Sequence, residues 1–173
     1  MKQLVKPITH AVLALGLAFS ANAMAAAPSK ILFGSCGHQD KDMPIFDTIN
    51  KEQGDLFIFL GDNIYGDTND MTVLANKYQK LGAKPGFKTL KANTPIIAMW
   101  DDHDFGQNDI GKDYPHKEQS RQIMLDFWGE PKSSPRRTRT DGIYTSYMYG
   151  EDEQAFKKDE LMLFFMAKVS DKD

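Results

Sequence analysis

An acidic segment with one histidine follows an apolar run in the middle of the chain. Its sequence, WDDHDFGQND, begins at Trp100 and includes Asp101, Asp102, His103, Asp104 and Asn108. Carboxylates this close together repel one another, and a multivalent cation relieves that repulsion. Carboxylate, amide and imidazole groups are also the ligands that such a cation takes. The alternative is a solvated loop whose Asp side chains bond backbone N–H groups in turns.

Two further groups of polar side chains follow apolar runs earlier in the chain. Cys36 and His38 come after the first run, and Asp62, Tyr65 and Asp67 come after the second, within GDNIYGD. Thiolate, phenolate and carboxylate together suit a hard, highly charged iron ion, with the thiolate adding soft character. Asp and Asn on neighbouring loops suit a second, oxygen-loving metal. Two metals that share a carboxylate form a clamp for in-line displacement at phosphorus.

Each of these residues also has an ordinary structural explanation. Cys36 is the only cysteine, so no internal disulfide is possible, and a lone cysteine is most often a buried small hydrophobe. Tyr65 could be a half-buried aromatic residue, and His103 could be a hydrogen-bonding residue of the acidic loop. For Asp101 and Asp104 we expect a bracing role in the loop, not metal binding. The position of Cys36 in GSCGH, just past an apolar run, favours a ligand over a core residue.

The residues that could do chemistry are positioned by short apolar runs that alternate with helical patterns. Strands are predicted over residues 30–33, 56–60 and 96–99. Helices are predicted over residues 42–51 with Asp42 as cap, 71–81 with Asp70 as cap, 85–92 and 115–128. This alternation indicates βαβ units and a largely parallel sheet, which is an α/β fold. Ligands of a parallel sheet bind outside the carboxyl ends of its strands, so we expect the three polar loops to meet at one edge.

The pattern changes after the last predicted helix. Residues 130–141, EPKSSPRRTRTD, have no apolar content, and we expect either a solvated loop or contact of Arg136, Arg137 and Arg139 with a phosphate. Residues 142–149, GIYTSYMY, are rich in β-formers and predict a strand. Residues 161–169 are a last apolar run without helical amphipathicity.

The first 27 residues have the pattern of a secretory signal peptide. Lys2 and Lys6 precede an apolar core that is too short to span a bilayer, and small residues near Ala23 fit a cleavage site. We therefore expect export to a periplasm or the medium, and one domain over residues 28–173. The alternative is an N-terminal membrane anchor or a core helix.

The composition is that of an ordinary globular protein. The chain has 173 residues, of which 41% are hydrophobic and 26% charged. A formal net charge of −3 gives no reason to expect nucleic-acid binding. An acidic protein that acts on an anionic substrate needs local positive charge from metals or a few arginines. The sequence does not indicate an oligomeric state.

The three loop motifs taken together resemble a known family. GSC, GDNIYGD and WDDHDFGQND occur in this order after successive predicted strands. This arrangement resembles the alkaline phosphatase D family of metallophosphatases, which are relatives of calcineurin-like phosphoesterases and purple acid phosphatases. The resemblance covers residues 31–149. It implies an exported, metal-dependent phosphomonoesterase or phosphodiesterase with a layered α/β/β/α fold.

The resemblance also implies roles for individual residues. By motif position, Cys36 and Tyr65 look like ligands of a ferric ion. Asp62 looks like the carboxylate that bridges this ion to a second metal, for which we expect calcium. Asp102 looks like a metal ligand in the position of the asparagine in the related GNHD/E motif, and Asn108 is a further candidate metal contact.

His103 is the catalytic residue that the resemblance implies beside Asp62, because it would bond the phosphate of an ester substrate or protonate the leaving oxygen. The family's chains are considerably longer, and residues 151–173 do not resemble their continuation. We therefore expect an N-terminal portion of a longer enzyme, with a sandwich that is incomplete at its C-terminal side. Two alternatives stay open, namely a non-catalytic exported module that binds metal or phosphate, and a secreted domain whose acidic loops are structural.

Overall fold

Three short parallel strands, five helices and an antiparallel pair of strands are the main elements of the chain that the structure describes. The computed structural model describes residues 27–140 and 142–149 and the backbone of 161–165. Its elements are β1 (Ile31–Gly34), α1 (Ile45–Glu52), β2 (Leu56–Leu60), α2 (Met71–Ala83), α3 (Pro85–Asn93), β3 (Ile96–Met99), α4 (Asp102–Phe105), α5 (Lys117–Trp128), a 3₁₀ turn (Pro135–Arg137), β4 (Thr145–Tyr149) and β5 (Leu161–Phe165). Residues 1–26 of the predicted signal peptide lie outside the described residues. None of the described helices has the length and hydropathy needed to cross a bilayer.

The parallel sheet has the strand order β1-β2-β3. Ile31 lies opposite Leu56, and Phe57 lies opposite Ile96, so the three strands run side by side in the same direction. Helix α1 joins β1 to β2, and helices α2 and α3 join β2 to β3. Strand β2, LFIFL, is an unbroken apolar run because a central parallel strand is buried on both faces. The predicted α/β class with a parallel sheet is confirmed.

The two faces of the sheet are covered by different layers. On one face, Phe57, Phe59 and Ala98 pack into the core formed with the helices. On the other face, Leu56, Ile58 and Ile97 form a smaller cluster. Tyr147 and Tyr149 of β4 pack against this smaller cluster, and β4 pairs antiparallel with β5. The described chain is therefore layered as helices, parallel sheet and β4–β5 pair, which corresponds to three layers of the predicted α/β/β/α sandwich.

The helix caps follow the prediction in one case and not in another. Asp70 caps α2, since its side chain accepts hydrogen bonds from the N–H groups of Thr72 at 2.8 Å and Val73 at 3.3 Å. The predicted cap by Asp42 is wrong. Pro44, with φ of −64°, takes the cap position of α1, and no side chain caps that helix. Asp42 lies two residues too early to reach the first-turn N–H groups that a cap bonds.

One helix boundary near the acidic segment differs from the prediction, and one short helix was not predicted. Helix α5 begins at Lys117, two residues after Pro115, and ends where Gly129 adopts a left-handed φ of 78°. The acidic segment itself is not a plain loop. Asp102–Phe105 form a helical turn, α4, which Asp101 caps by accepting the Asp102 N–H at 3.0 Å. Such a short turn has too few residues for helical periodicity to reveal it.

The arginine-rich segment is neither solvated nor open to a phosphate at Arg136 and Arg137. Both side chains are buried, with 4% and 7% exposure. Arg136 donates to the carbonyls of Ala98 and Ile143, both at 3.0 Å, and pairs with Glu130 at 3.1 Å. Arg137 donates to backbone carbonyls at 2.9 and 2.6 Å and to a glutamine side chain at 2.9 Å. A guanidinium group suits these positions because its several N–H groups can bond several carbonyls at once. One of the carbonyls that Arg136 bonds, that of Ala98, lies on the edge of β3 that faces away from β2.

Arg136→Met should destabilise the fold. The substitution removes the hydrogen bonds to two carbonyls and leaves Glu130 without its guanidinium partner, so we expect the free energy of unfolding to fall by about 3 kcal/mol. Urea denaturation followed by circular dichroism measures the change. Arg139→Met is the matched control, because Arg139 stacks on the exposed ring of Tyr144 at 3.8 Å. Its loss should be below about 1 kcal/mol, and equal losses in the two variants would contradict the structural role of Arg136.

Candidate metal centre

Backbone contacts join the three loops at the carboxyl edge of the parallel sheet. The N–H of Gly37, after β1, donates to the carbonyl of Asp62, after β2, at 2.8 Å. The N–H of Gly66 donates to the carbonyl of His103, after β3, at 3.0 Å. A side chain at Gly61 would lie 2.9 Å from the backbone nitrogen of Asp101, and Gly61 has φ of 106°. Glycine is therefore required where the second and third loops approach each other.

The side chains of these loops converge on one region. The ligand atoms of Asp62, Asp102 and His103 all lie within 4.8 Å of one another. The Sγ atom of Cys36 lies 3.6 Å from Asp62 Oδ2, and the ring of Tyr65 lies 4.3 Å from the ring of His103. Cys36 is exposed, so its interpretation as a buried small hydrophobe is wrong. Five residues that the sequence singled out thus come from three different loops to one place.

The backbone is strained in these same loops. Cys36, Asp62, Asp67 and Asp109 have φ values of 61°, 49°, 43° and 59°, in the left-handed region. Asp tolerates this conformation better than most residues, whereas Cys does not share this tolerance. Among the described non-glycine residues, one further residue, Gln53 at the end of α1, has a positive φ. Strain of this kind persists where the surrounding structure fixes the backbone, and it gathers at functional sites.

His103 pairs with Asp67. The Nδ1 atom of His103 lies 2.7 Å from Asp67 Oδ1, which also accepts the Asn108 N–H at 3.0 Å. Burial acts to lower the pKa of His103. The hydrogen bond and charge of Asp67, with the charges of Asp62 and Asp102, outweigh burial and raise this pKa above its ordinary 6.5. The sequence placed Asp67 in the second loop, but it gave no sign of this partner.

Asp62 carries a buried oxygen that lacks a partner. Its Oδ1 atom is buried and has no hydrogen-bond partner among the described residues. Burial raises the pKa of Asp62, the charge of His103 lowers it, and the nearby Asp101 and Asp102 raise it further. A buried carboxylate oxygen without a donor is costly, and a bound cation would remove that cost.

The donor set around Asp62 fits a metal ion. Thiol, phenol, carboxylate and imidazole groups lie together, and a highly charged iron ion accepts all four kinds of ligand. Burial and the nearby Cys36 and Asp62 raise the pKa of the Tyr65 phenol, so the phenol keeps its proton when no cation is present. A metal would have to displace that proton, which makes binding dependent on pH.

Asp102 and Asn108 are tied into the same loop. Asp102 accepts the N–H groups of His103 at 3.1 Å and Asp109 at 2.5 Å. The side-chain amide of Asn108 donates to Asp109 Oδ2 at 3.0 Å. The structure therefore brings the backbone of Asn108 to the His103–Asp67 pair and engages its side chain with Asp109. The roles of Asp102 and Asn108 as metal ligands stay predictions.

Asp104 braces the loop from below. Its side chain is fully buried and accepts hydrogen bonds from the Asn63 N–H at 2.8 Å and the Asn63 side-chain amide at 2.6 Å. Burial raises the pKa of Asp104 well above its usual range, the charge of Asp62 adds to this, and the N–H groups of Asn63 and Ile64 act against it. These hydrogen bonds confirm the predicted bracing role. The hydrogen bonds between Asp104 and Asn63 join the third loop to the second loop, next to the candidate ligands.

Comparison with known proteins supports the fold through one solved structure. The chain is similar to the structure of PhoD, with a TM-score of 0.60 and 19% sequence identity. The chain shares the fold of part of PhoD. The match covers 73% of this chain and 30% of the PhoD chain, so the chain spans less than a third of that protein's length. The resemblance that the three motifs indicate is confirmed at the level of the fold. Protein-family models and curated proteins give no match.

Asp67→Asn should lower the pKa of His103. The substitution removes the charge that opposes the effect of burial, and the pKa follows from the His103 Cε1–H chemical shift measured against pH by NMR. Asp47→Asn, on the exposed side of α1, is the control and should leave that pKa unchanged.

The same substitution should change how stability depends on pH. A folded-state pKa above 6.5 means that the protonated His103 stabilises the fold below that pH. This contribution is lost as the pH rises through the raised pKa, and Asp67→Asn should reduce the loss. Thermal unfolding of the unmodified protein and the Asp67→Asn variant, measured from below pH 6.5 upward, checks this expectation. An identical pH dependence of stability in the two proteins would contradict the pairing of His103 with Asp67.

Proposed function

We propose that this chain carries part of the active site of an exported, metal-dependent phosphoric ester hydrolase. The observation that supports the proposal most is the convergence of Cys36, Asp62, Tyr65, Asp102 and His103 at one edge of the sheet. The fold shared with part of PhoD and the order of the three motifs support the same reaction class. The substrate class is a phosphate monoester or diester.

The candidate ligands divide into two groups by chemistry. Cys36 and Tyr65 would hold a ferric ion, because thiolate and phenolate are charged ligands that a trivalent iron accepts. Asp62 would bridge to a second metal, proposed to be calcium, which Asp102 and Asn108 would help to hold through oxygen atoms. When bound, such metals make a coordinated water acidic enough to act as a nucleophile and neutralise charge on the phosphoryl oxygens.

His103 would supply the proton for the leaving oxygen. Asp67 occupies Nδ1 of the ring, so the proton available for transfer is the one on Nε2. The raised pKa favours the protonated imidazole, which is the state that a general acid needs. The same N–H would bond a phosphoryl oxygen before the ester bond breaks. Asp67 would hold the ring in one tautomer and one orientation throughout.

Export is proposed from the N-terminal sequence. Residues 1–27 combine a basic start, a short apolar core and a small-residue cleavage pattern. A periplasmic or extracellular location would also suit phosphate esters supplied from outside the cell.

A second candidate function is a non-catalytic module that binds metal or phosphate. The described part of the chain gathers Cys36, Asp62, Tyr65, Asp102 and His103. Calcium takes about six to eight oxygen ligands, and two metals need more donors than these residues supply. Binding without turnover is therefore the outcome to separate from hydrolysis.

Tyr65→Phe should abolish a visible absorption band of the iron-loaded protein. The band arises from charge transfer between a tyrosinate and ferric iron, and phenylalanine lacks the phenolate oxygen. The unmodified protein should contain iron by elemental analysis and hydrolyse a chromogenic phosphodiester. Tyr144→Phe is the matched control, since Tyr144 is exposed and follows the arginine-rich segment, so its variant should keep the band.

His103→Asn should separate chemistry from metal binding. Loss of a general acid lowers kcat by about 100- to 10,000-fold, and iron content should stay as in the unmodified protein. Iron without turnover in the unmodified protein favours the binding module. A protein that takes up neither iron nor calcium would falsify the metal-dependent proposal altogether.

A further inference from the structure

Gln39 is a buried amide that the proposed chemistry does not use. Its side chain is 2% exposed and lies just past the GSCGH loop. The Oε1 atom accepts the N–H of Tyr65 at 2.8 Å, and the Nε2 group donates to the carbonyl of Tyr65 at 3.2 Å. Nε2 also donates to Asp40 Oδ2 at 2.9 Å. The side-chain amide thus pairs with both backbone groups of Tyr65, as a neighbouring strand would.

The ring of Tyr65 needs such an anchor because stacking alone does not fix it. The ring stacks on His38, at 4.9 Å between centroids and 12° between planes, and contacts the tilted ring of His103, at 4.3 Å and 40°. Stacked rings slide past one another at little cost. Lys77 also donates to the Tyr65 carbonyl at 2.9 Å, whereas Gln39 is the acceptor of the Tyr65 N–H.

Gln39 also connects two of the candidate iron ligands. It lies three residues after Cys36 in the first loop, and it bonds Tyr65 in the second loop. The Gln39 amide therefore ties the Tyr65 backbone to the loop that carries Cys36. Groups that orient metal ligands in this way are worth roughly 10- to 100-fold in metal affinity.

We infer that Gln39 is a positioning residue that holds the Tyr65 phenol against Cys36. The inference rests on the proposed function, since it assigns Gln39 a part in binding the ferric ion. It also makes a statement about the metal-free protein. Without the amide, the Tyr65 N–H loses its acceptor, and the ring loses one constraint on its position beside the two imidazoles.

Gln39→Met tests this role, because methionine has a similar length and cannot bond the Tyr65 backbone. In the ferric protein, we expect about 10- to 100-fold weaker iron binding and a weaker tyrosinate-to-iron band. In the metal-free protein, we expect faster hydrogen exchange at the Tyr65 amide and a weaker nuclear Overhauser effect between the rings of Tyr65 and His103. Gln39→Glu keeps an acceptor for the Tyr65 N–H. Its iron affinity should lie between those of the unmodified protein and the Gln39→Met variant.

Gln122→Met is the matched control. Gln122 bonds Arg137 through both ends of its amide, at 2.8 and 2.9 Å, away from the three loops. This variant should lose stability but keep the iron affinity and the absorption band of the unmodified protein. Wild-type iron affinity and an unchanged ring-to-ring signal in both Gln39 variants overturn the inference. An unmodified protein that binds no iron overturns the proposed function, and the two metal-free measurements then still decide whether Gln39 positions Tyr65.

Discussion

Repulsion among carboxylates at the carboxyl edge of the sheet is the constraint on which the site depends. Asp62, Asp102 and Asp104 belong to two loops that hydrogen bonds pull together, and Asp62 keeps a buried oxygen without a donor. The protein offsets this repulsion in two ways that the structure shows. Backbone and amide N–H groups surround Asp104, and the imidazole of His103 lies beside Asp62 and Asp102. Neither way provides a donor for the buried Oδ1 atom of Asp62, so a cation would be favourable beside this oxygen.

The sheet makes this crowding possible because it is anchored on both faces. Its helix-facing side chains belong to the main core, and its opposite face packs against two tyrosines of β4. A strand fixed on both sides cannot shift to separate the loops at its end. Arg136 adds a further tie, since it bonds Ala98 in β3 and Ile143 ahead of β4. The packed sheet therefore fixes the distances between the charged side chains of the loops that follow its strands.

The sequence predicts the parts of this arrangement that depend on local pattern. The three parallel strands, the Asp70 cap and the meeting of the three loops follow from apolar runs, cap chemistry and the geometry of parallel sheets. The partners of His103, Arg136 and Gln39 were not predicted, because each partner is set by the packing of separate segments. Asp67 lies 36 residues from His103, and Ala98 lies 38 residues from Arg136. The basic composition of residues 130–141 favoured a solvated loop, whereas Arg136 and Arg137 are buried. Arg136 donates to the distant carbonyl of Ala98, and Arg137 donates to carbonyls within its own segment.

The left-handed backbone of the loops limits which side chains could replace the candidate ligands. Positions 36, 62 and 67 all have φ between 43° and 61°. β-Branched residues are poorly tolerated there, and Asn, Asp and Gly are tolerated well. If the Cys36 thiol were replaced by a hydroxyl group, serine would therefore be tolerated better than threonine. The main-chain conformation at positions 36, 62 and 67 thus restricts which donor side chains these positions can carry.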